Sequence, residues 1–256
     1  MIDLHLIGVG TGNPDHLTRQ AAAAMNAADL ILLPRKGDAT SDLIDLRRTL
    51  CATALTRPVR IVEFDLPVRA AHADYLAAVA DWHDAIAATW AAQIAAYLPD
   101  GGRLALLVWG DPSLYDSTLR IAARLQADGM AMRIHVVPGI TSLQALTAAH
   151  AIPLNDLGAP VLVTTGRRLR DHGWPADADS VAVMLDGDCA FATLDPAGIV
   201  IWWGAYLGMA QQALLAGPLA ATGPRIVATR AALRADHGWI MDTYLLRRTR
   251  MDPISC

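Results

Sequence analysis

The chain of 256 residues is long enough to bury a sizeable hydrophobic core, in one large domain or two smaller ones. Its formal net charge of −4 gives no overall basic field of the kind that attracts nucleic acid. No apolar stretch approaches the ~20 residues of a membrane span, and the first residues lack the pattern of a signal peptide. The three cysteines are widely spaced, which disfavours both a disulfide framework and a zinc site. We therefore expect a cytoplasmic protein that binds neither nucleic acid nor membrane and holds no metal.

Short apolar runs alternate with amphipathic segments through the first half of the chain. The apolar runs predict strands at Leu4–Ile7, Leu30–Leu33, Val59–Val62, Leu104–Val108 and Ile134–Val137. The amphipathic segments predict helices at Leu17–Ala27, Asp42–Thr53 and His72–Leu98. In the last helix the apolar residues, among them Trp82, Ile86 and Trp90, recur every three or four positions and therefore lie on one face. This alternation predicts βα units and a mostly parallel sheet that helices cover on both sides.

A segment with two prolines and an Asn-Asp-Leu-Gly turn interrupts the pattern at Ala149–Pro160. Beyond it, strands are predicted at Val161–Thr165, Val181–Leu185, Ile199–Trp203 and Trp239–Tyr244, with a helix at Arg225–Ala235. We interpret the interruption as a linker between two α/β domains, which comprise residues 1–150 and 151–256.

The first predicted strand runs into three glycines at alternate positions, in the stretch LHLIGVGTGNP that begins at Leu4. A glycine loop after a strand lets a ligand approach the backbone closely. The dinucleotide fingerprint G-x-G-x-x-G would require a third glycine where Asn13 stands, and an acidic residue at the end of the second strand. That strand ends instead in Pro-Arg-Lys at positions 34–36, and the sequence contains no G-x-x-x-x-G-K-[ST] motif. The loop therefore matches neither nucleotide-phosphate motif.

Two further polar or glycine-containing stretches follow predicted strands. LVWGDPSLYD, Leu107–Asp116, places Gly-Asp-Pro at the end of the fourth strand. VVPGITSLQAL, Val136–Leu146, places Pro-Gly-Ile-Thr-Ser at the end of the fifth strand. A turn or a helix cap would explain either stretch alone. Because ligands bind at the carboxyl ends of parallel strands, three such loops at one edge predict a binding site there.

The stretches GVGTGNPDHLT, GDPSLY and PGITS resemble the motifs of the tetrapyrrole methylases, and they stand in that family's order and spacing. The resemblance implies two α/β domains of the class III methyltransferase type, with S-adenosylmethionine in the cleft between them, and a homodimer that acts on a tetrapyrrole. S-adenosylmethionine has no phosphates, so its loop need not be an anion-binding helix N-terminus. Longer stretches, such as LVWGDPSLYDSTLRI and GWIMDTYLLRR, resemble a branch of the family that methylates precorrin-5 at C1 and releases acetate, forming precorrin-6A.

The resemblance also implies roles for individual residues. The expected cofactor-binding residues are Gly10, Thr11, Gly110, Asp111, Leu114, Thr141, Ser142, Leu185 and Ala205. Among them, Asp111 is expected against the methionine or ribose portion of the cofactor, and Leu185 against the adenine. Arg167 and Arg168 follow a predicted strand of the second domain, and arginine side chains suit the peripheral carboxylates of a precorrin.

Acetate release requires an attack on the acetyl carbonyl. The sequence contains no Gly-x-Ser-x-Gly motif that would supply a nucleophile, so water or hydroxide is the expected attacking group. Three residues are candidates for a general base: Tyr115 and Asp116, where the chain departs from the wider family after Gly-Asp-Pro, and Asp186 at a strand end of the second domain. Tyr115 and Asp186 are the preferred catalytic candidates, because they are expected to face the cleft. Three other interpretations stay open: a corrin-ring methylase with a different target carbon, a nucleotide-binding oxidoreductase, and a non-catalytic binding module.

Overall fold

The computed structural model describes residues 1–35, 41–68 and 75–249 of the chain. The strands in these ranges are β1 (Ile2–Gly8), β2 (Leu30–Arg35), β3 (Arg60–Asp65), β4 (Gly102–Val108), β5 (Met132–Val137), β6 (Val161–Thr165), β7 (Ser180–Met184), β8 (Ile199–Ala205), β9 (Ala213–Pro218) and β10 (Asp242–Arg248). The helices there are α1 (Arg19–Ala27), α2 (Ser41–Ala54), α3 (Tyr75–Tyr97), α4 (Thr118–Ala127), α5 (Ser142–His150), α6 (Gly166–His172) and α7 (Leu219–His237). The predicted start of α3 at His72 lies outside the described residues.

The chain divides into two compact units, Met1–Thr141 and Ser142–Cys256. The boundary predicted at residue 150 differs from this division by the nine residues of α5. That helix belongs with the second unit because it packs against β8: the Nε2 atom of His150 lies 3.0 Å from the carbonyl oxygen of Trp203. A hydrogen bond to the backbone of a strand gives His150 a structural role.

The first unit contains a five-stranded sheet in the order β3-β2-β4-β1-β5, and all its strand pairs are parallel. Ile7 in the middle of the sheet is in register with Leu107 on one side and Val137 on the other. The strands β1, β4 and β5 therefore end at the same level, and the loops that follow them leave from one edge. The predicted parallel sheet is confirmed for this unit.

Helices cover both faces of the first sheet, as predicted. On one face, α3 and α4 pack onto β1 and β4, and the buried side chains of Ile86, Trp90 and Ile94 form the predicted apolar face of α3. On the other face, α1 and α2 pack onto the alternate residues of the same strands. Strands that are buried on both faces read as continuous apolar runs, which is why the sequence identified them. Among the described residues, no helix combines the length and the apolarity that crossing a bilayer demands.

The second sheet has the order β6-β7-β10-β8-β9 and, unlike the first, is mostly antiparallel. Only the β6–β7 pair is parallel among its described strands, because β10 runs antiparallel to both β7 and β8, and β9 runs antiparallel to β8. The connection from β8 to β9 is residues 206–212, which is too short for the crossover that a parallel pair requires. Strand β9, ALLAGP, was not predicted. It is an edge strand, where glycine and proline are tolerated.

Helix α7 extends further than the sequence predicts. The predicted helix began at Arg225 because proline at position 224 removes a backbone donor and normally breaks a helix. The structure continues the helix back to Leu219, through Pro224. The side chains of Leu219, Thr222 and Ile226 are all buried, so packing onto the second sheet stabilises the turns on both sides of the proline.

Candidate active site

The motif glycines of the first unit pack backbone against backbone. Gly8 ends β1, Gly110 follows β4 and Gly139 follows β5. A Cβ atom on Gly8 would lie 2.6 Å from the backbone nitrogen of Gly139, and one on Gly139 would collide with the carbonyl oxygen of Gly110. Gly10 and Gly110 exchange two backbone hydrogen bonds, of 3.3 and 2.8 Å. A side chain fits neither at Gly8 nor at Gly139. The absence of side chains at these two positions lets the three loops pack directly against one another.

The same loops hold several glycines in backbone conformations that other residues rarely adopt. Gly10, Gly12 and Gly110 have φ angles of +75°, +109° and +65°. A Cβ atom on Gly110 would meet only the Cα atom of Thr141, at 3.8 Å. The structure therefore brings Gly10, Gly110 and Thr141 together at the edge of the sheet where the motifs predicted that the loops converge. This arrangement suits a ligand that approaches the main chain closely.

Asp111 connects two of these loops through its carboxylate. Its Oδ1 atom accepts hydrogen bonds from the backbone nitrogen of Ser113, at 2.8 Å, and from the Ser113 hydroxyl. Its Oδ2 atom accepts from the backbone nitrogen of Gly139, also at 2.8 Å. Burial alone would raise the pKa of Asp111, but the hydrogen bonds from Ser113 and Gly139 outweigh it and lower the pKa. A carboxylate accepts about four hydrogen bonds, so about one position remains for a ligand.

Three other predicted residues of the first unit lie on the same loops. Thr11 is buried, and its Oγ1 atom lies 3.3 Å from Nδ1 of His16, so its side chain is engaged within the loop. Leu114 is half-buried, and its backbone nitrogen donates to the carbonyl oxygen of Asp111. Tyr115 is 42% exposed and has a left-handed φ of +49°. Strained conformations of this kind in residues other than glycine occur preferentially at functional sites.

In the second unit, the predicted cofactor contacts Leu185 and Ala205 lie at the ends of two strands and differ in their exposure to solvent. Leu185 comes directly after β7, is 65% exposed and has a left-handed φ of +53°. A large apolar side chain that is both exposed and strained fits a contact with an apolar ligand surface. Ala205 ends β8 and is fully buried, so the structure exposes no surface of this residue for the predicted cofactor contact. Ser142 is the first residue of α5 and is half-buried.

The two predicted substrate-binding arginines are exposed at the start of α6. Arg167 and Arg168 follow Gly166, the first residue of that helix. The next arginine, Arg170, donates to the carboxylate of Asp188 at 2.7 Å. A neighbouring acid therefore compensates the charge of Arg170, which makes Arg170 a weaker candidate than Arg168 for binding an anionic substrate.

Asp186 is buried, whereas a catalytic base was predicted to face the cleft. Its carboxylate is buried, and it accepts hydrogen bonds from the backbone nitrogens of Asp188, at 3.0 Å, and Ala190, at 2.7 Å. The hydroxyl of Tyr244 also donates to it, at 2.7 Å, and burial together with this carboxylate raises the pKa of Tyr244. We therefore assign Asp186 a structural role, which is to hold the loop after β7, in place of the predicted catalytic one.

The sequence analysis missed a buried ion pair in the second unit. Arg230 donates to the carboxylate of Asp242 at 3.0 Å, and the indole nitrogen of Trp203 donates to the same oxygen at 2.8 Å. A second nitrogen of Arg230 donates to the carbonyl oxygen of Asp186 at 2.8 Å. Burial raises the pKa of Asp242, and the hydrogen bond from Arg230 opposes this effect. A lone carboxylate in the apolar stretch GWIMDTYLL was the available signal, because a buried acid requires a partner.

The fold and these loops define a methyltransferase: the chain belongs to the Tetrapyrrole (Corrin/Porphyrin) Methylases, whose family model matches residues 3–222. It is 48% identical, over 95% of this chain and 94% of the relative, to the precorrin-6A synthase (deacetylating) of a Sinorhizobium species. A solved structure described as a cobalamin synthesis related protein (CobF), from Corynebacterium diphtheriae, is 38% identical, with a TM-score of 0.82 over 97% of this chain and 99% of that one. The uroporphyrin-III C-methyltransferase of Thermus thermophilus, complexed with S-adenyl homocysteine, shares the fold at 17% identity and a TM-score of 0.58, over 96% and 92% of the two chains.

These comparisons confirm the predicted family, the fold class of two α/β domains and the enzyme class. They do not support the interpretation as a nucleotide-binding oxidoreductase or a non-catalytic binding module. The predicted roles of individual site residues remain predictions, which the following substitutions address.

The glycine junction predicts a specific instability. Gly139→Ala should lower the free energy of unfolding by about 3 kcal/mol or more, because the new Cβ atom meets backbone atoms that cannot move aside. Chemical denaturation measures this loss. Gly187→Ala is the matched control, since a Cβ atom at Gly187 would have no atom within 4 Å. Equal free energies of unfolding for the two variants would contradict the junction.

The carboxylate of Asp111 predicts a pH-dependent stability. Because the folded state lowers the pKa of Asp111, its stabilising effect is fully present above the unfolded pKa and is lost as the pH falls through the folded pKa. Asp111→Asn should therefore cost about 1.5–3 kcal/mol at neutral pH and progressively less below about pH 4. Urea denaturation of both proteins at several pH values measures the difference. Ser113→Ala should reproduce part of the loss, whereas a difference that is constant with pH would refute this account.

The position of Asp186 predicts a loss of stability as well as activity. Asp186→Asn replaces one acceptor oxygen by an amide donor that faces other donors, so the free energy of unfolding should fall by about 2 kcal/mol or more. Thermal or urea denaturation measures the change. Asp188→Asn is the control, because that carboxylate is exposed and pairs only with Arg170 among the described side chains. A fully stable Asp186→Asn variant would restore Asp186 as a candidate base.

Proposed function

We propose that this protein transfers a methyl group from S-adenosylmethionine to C1 of precorrin-5, with loss of acetate, and so forms precorrin-6A in cobalamin biosynthesis. The observation that carries this proposal is the 48% identity, over nearly the full length of both chains, to the precorrin-6A synthase (deacetylating) of Sinorhizobium. The likeness to the CobF structure at 38% identity supports the same pathway. A homodimer in the cytoplasm, which the family resemblance implies, belongs to this proposal.

The loops of the first unit have the properties that the cofactor requires. When bound, S-adenosylmethionine supplies an electrophilic methyl group on a sulfonium. The main chain at Gly10, Thr11 and Gly110 would hold its polar portion, and the remaining acceptor position of Asp111 would receive a hydrogen bond from its amino group or ribose. The exposed side chain of Leu185 would cover an apolar face of the adenine. The Thermus enzyme with the same fold is complexed with S-adenyl homocysteine, which supports this assignment.

The contribution of the protein to methyl transfer is mainly positional. Alignment of the acceptor carbon with a bound methyl group supplies an effective molarity of about 10⁵ M or more, so no strong acid or base is needed for this step. Leu114, Thr141 and Ser142 would complete the cofactor contacts, and the guanidinium groups of Arg167 and Arg168 would bind peripheral carboxylates of the macrocycle. Tyr115 is the remaining candidate for assisting acetate release, because the Asp186 carboxylate is buried and its oxygens already accept hydrogen bonds.

The decisive experiment incubates the purified protein with methyl-labelled S-adenosylmethionine and a panel of precorrins. The expected result is label in a product with the mass of precorrin-6A, together with an equimolar amount of acetate, from precorrin-5 alone. A labelled product that keeps its acetyl group, or preference for another precorrin, would identify a methylase with a different target carbon. Calorimetry provides a second check, because S-adenosylhomocysteine should bind and NAD should not.

Two substitutions test the proposed contacts. Asp111→Ala should weaken binding of S-adenosylhomocysteine about tenfold or more, because a charged acceptor is lost. Arg168→Gln should raise KM for the precorrin with little change in kcat, whereas Arg170→Gln should not, since Asp188 already binds Arg170. Equal effects of the two arginine substitutions would argue against a substrate contact at Arg168.

A further inference from the structure

A cavity of about 250 Å³ opens at the carboxyl ends of β2, β3 and β4, and all of its lining residues belong to the first compact unit. Its walls come from α2, from α3 and from the segment that leads out of the Gly-Asp-Pro loop into α4. Pockets that enclose drug-sized ligands measure about 300–1,000 Å³, so this cavity is too small for a whole tetrapyrrole or a whole cofactor. The cavity is large enough for a single substituent of such a molecule.

One wall of the cavity contains a buried donor without an acceptor. Trp90 lines the cavity and is 3% exposed, and its indole Nε1 has no hydrogen-bond partner among the described residues. Trp82, on the same face of α3, donates its own indole hydrogen to the carbonyl oxygen of Pro67 at 2.6 Å. Buried donors in folded proteins are nearly always paired, so an unpaired one beside a cavity indicates an acceptor atom on a ligand.

The charges in the cavity wall are balanced. Arg47 is a lining residue whose pKa burial lowers, while Asp116, which also lines the cavity, acts in the opposite direction. The Oδ1 atom of Asp116 is held by the backbone nitrogen of Thr118, at 2.7 Å, and by the hydroxyl of the same residue. The wall therefore offers donors without a net positive charge. A neutral acceptor gains the indole hydrogen bond at little cost, whereas a carboxylate gives up its hydration in a wall where Asp116 already balances the charge of Arg47.

Most of the remaining lining is apolar and aromatic. Phe64, Leu66, Trp109 and Ile121 surround the polar groups, and they would pack against a small aliphatic group. Tyr115, the candidate for assisting acetate release, lines the same cavity. The wall thus combines a hydrogen-bond donor for a neutral oxygen with an apolar surface for a methyl group. These two features together are complementary to a small acyl group.

We propose that this cavity binds the acetyl group of the substrate as a neutral ketone and expels it once it has become acetate. The inference rests on the proposed function. In the overall exchange, the oxygen of water bonds to the acetyl carbonyl carbon, and the bond from that carbon to the ring carbon breaks. The electron pair stays with the ring carbon, which takes the methyl group, and acetate leaves together with two protons. The carbonyl is held while neutral, and the anionic product leaves because Asp116 already compensates Arg47, the cation that would otherwise retain it.

The test measures binding of small acyl probes to the full-length protein, without S-adenosylmethionine or precorrin. The chain has seven tryptophans, and the spectrum of a Trp90→Phe variant identifies the indole signal of Trp90 by NMR. Acetamide, a neutral acyl probe, should shift that signal saturably, with a Kd in about the millimolar range that a ligand of four heavy atoms can reach. Acetate should bind about threefold or more weakly, and Asp116→Asn should reduce this difference.

Two outcomes would overturn the proposal: no saturable shift of the Trp90 signal with acetamide, or tighter binding of acetate than of acetamide. Trp174→Phe is the matched control and should leave the response intact, because Trp174 lies in the second unit and donates its indole hydrogen to Ala178 at 2.8 Å. In the methyl transfer assay, Trp90→Phe should slow acetate release severalfold while S-adenosylhomocysteine binding is retained. Because the probe experiment needs no methyl transfer, its failure is distinguishable from failure of the proposed function.

Discussion

The candidate site of the first unit depends on the contact of three backbones at Gly8, Gly110 and Gly139. The parallel register of β1, β4 and β5 brings the ends of these strands to one level, and only glycine allows the following loops to touch. Everything that the loops present to a ligand follows from this contact: the main chain at Gly110, the adjacent Thr141 and the orientation of the Asp111 carboxylate. The carboxylate then secures the contact by accepting a hydrogen bond from Gly139. A packing constraint without side chains therefore determines the position of the functional groups.

The second unit is organised in a different way, around buried carboxylates. Asp186 receives hydrogen bonds from the loop after β7 and from Tyr244 of β10, and Arg230 links the backbone of Asp186 to Asp242. Buried charges are stable only when they are paired and hydrogen-bonded, so these acids specify which strands and loops lie side by side. Leu185 and the start of α6, with Arg167, are attached to this network. The exposed residues proposed to contact the cofactor and substrate are thereby held by groups that never meet a ligand.

The sequence predicted the first unit more successfully than the second, and the reasons are physical. Strands such as Leu104–Val108 are apolar on both faces, so their pattern is visible without neighbours, and glycines beyond their ends mark the loops. Strand β9 carries glycine and proline because it is an edge strand, so it lacks that pattern. The extension of α7 through Pro224 comes from tertiary packing, which outweighs local propensity. Asp186 follows a strand, as a functional acid would, and only the three-dimensional structure shows that its acceptor positions are taken.

Leu185 has a consequence for attempts to stabilise the protein. A left-handed leucine costs about 1–3 kcal/mol of backbone strain, and most of its apolar surface is in contact with water. Glycine at this position would remove the strain and sacrifice little buried contact, so a screen that rewards thermal stability alone would favour replacing the residue expected to cover the adenine. The most stabilising single change in the second unit could therefore also be one of the most damaging to turnover. Engineering of this enzyme requires selection for cofactor retention alongside heat resistance.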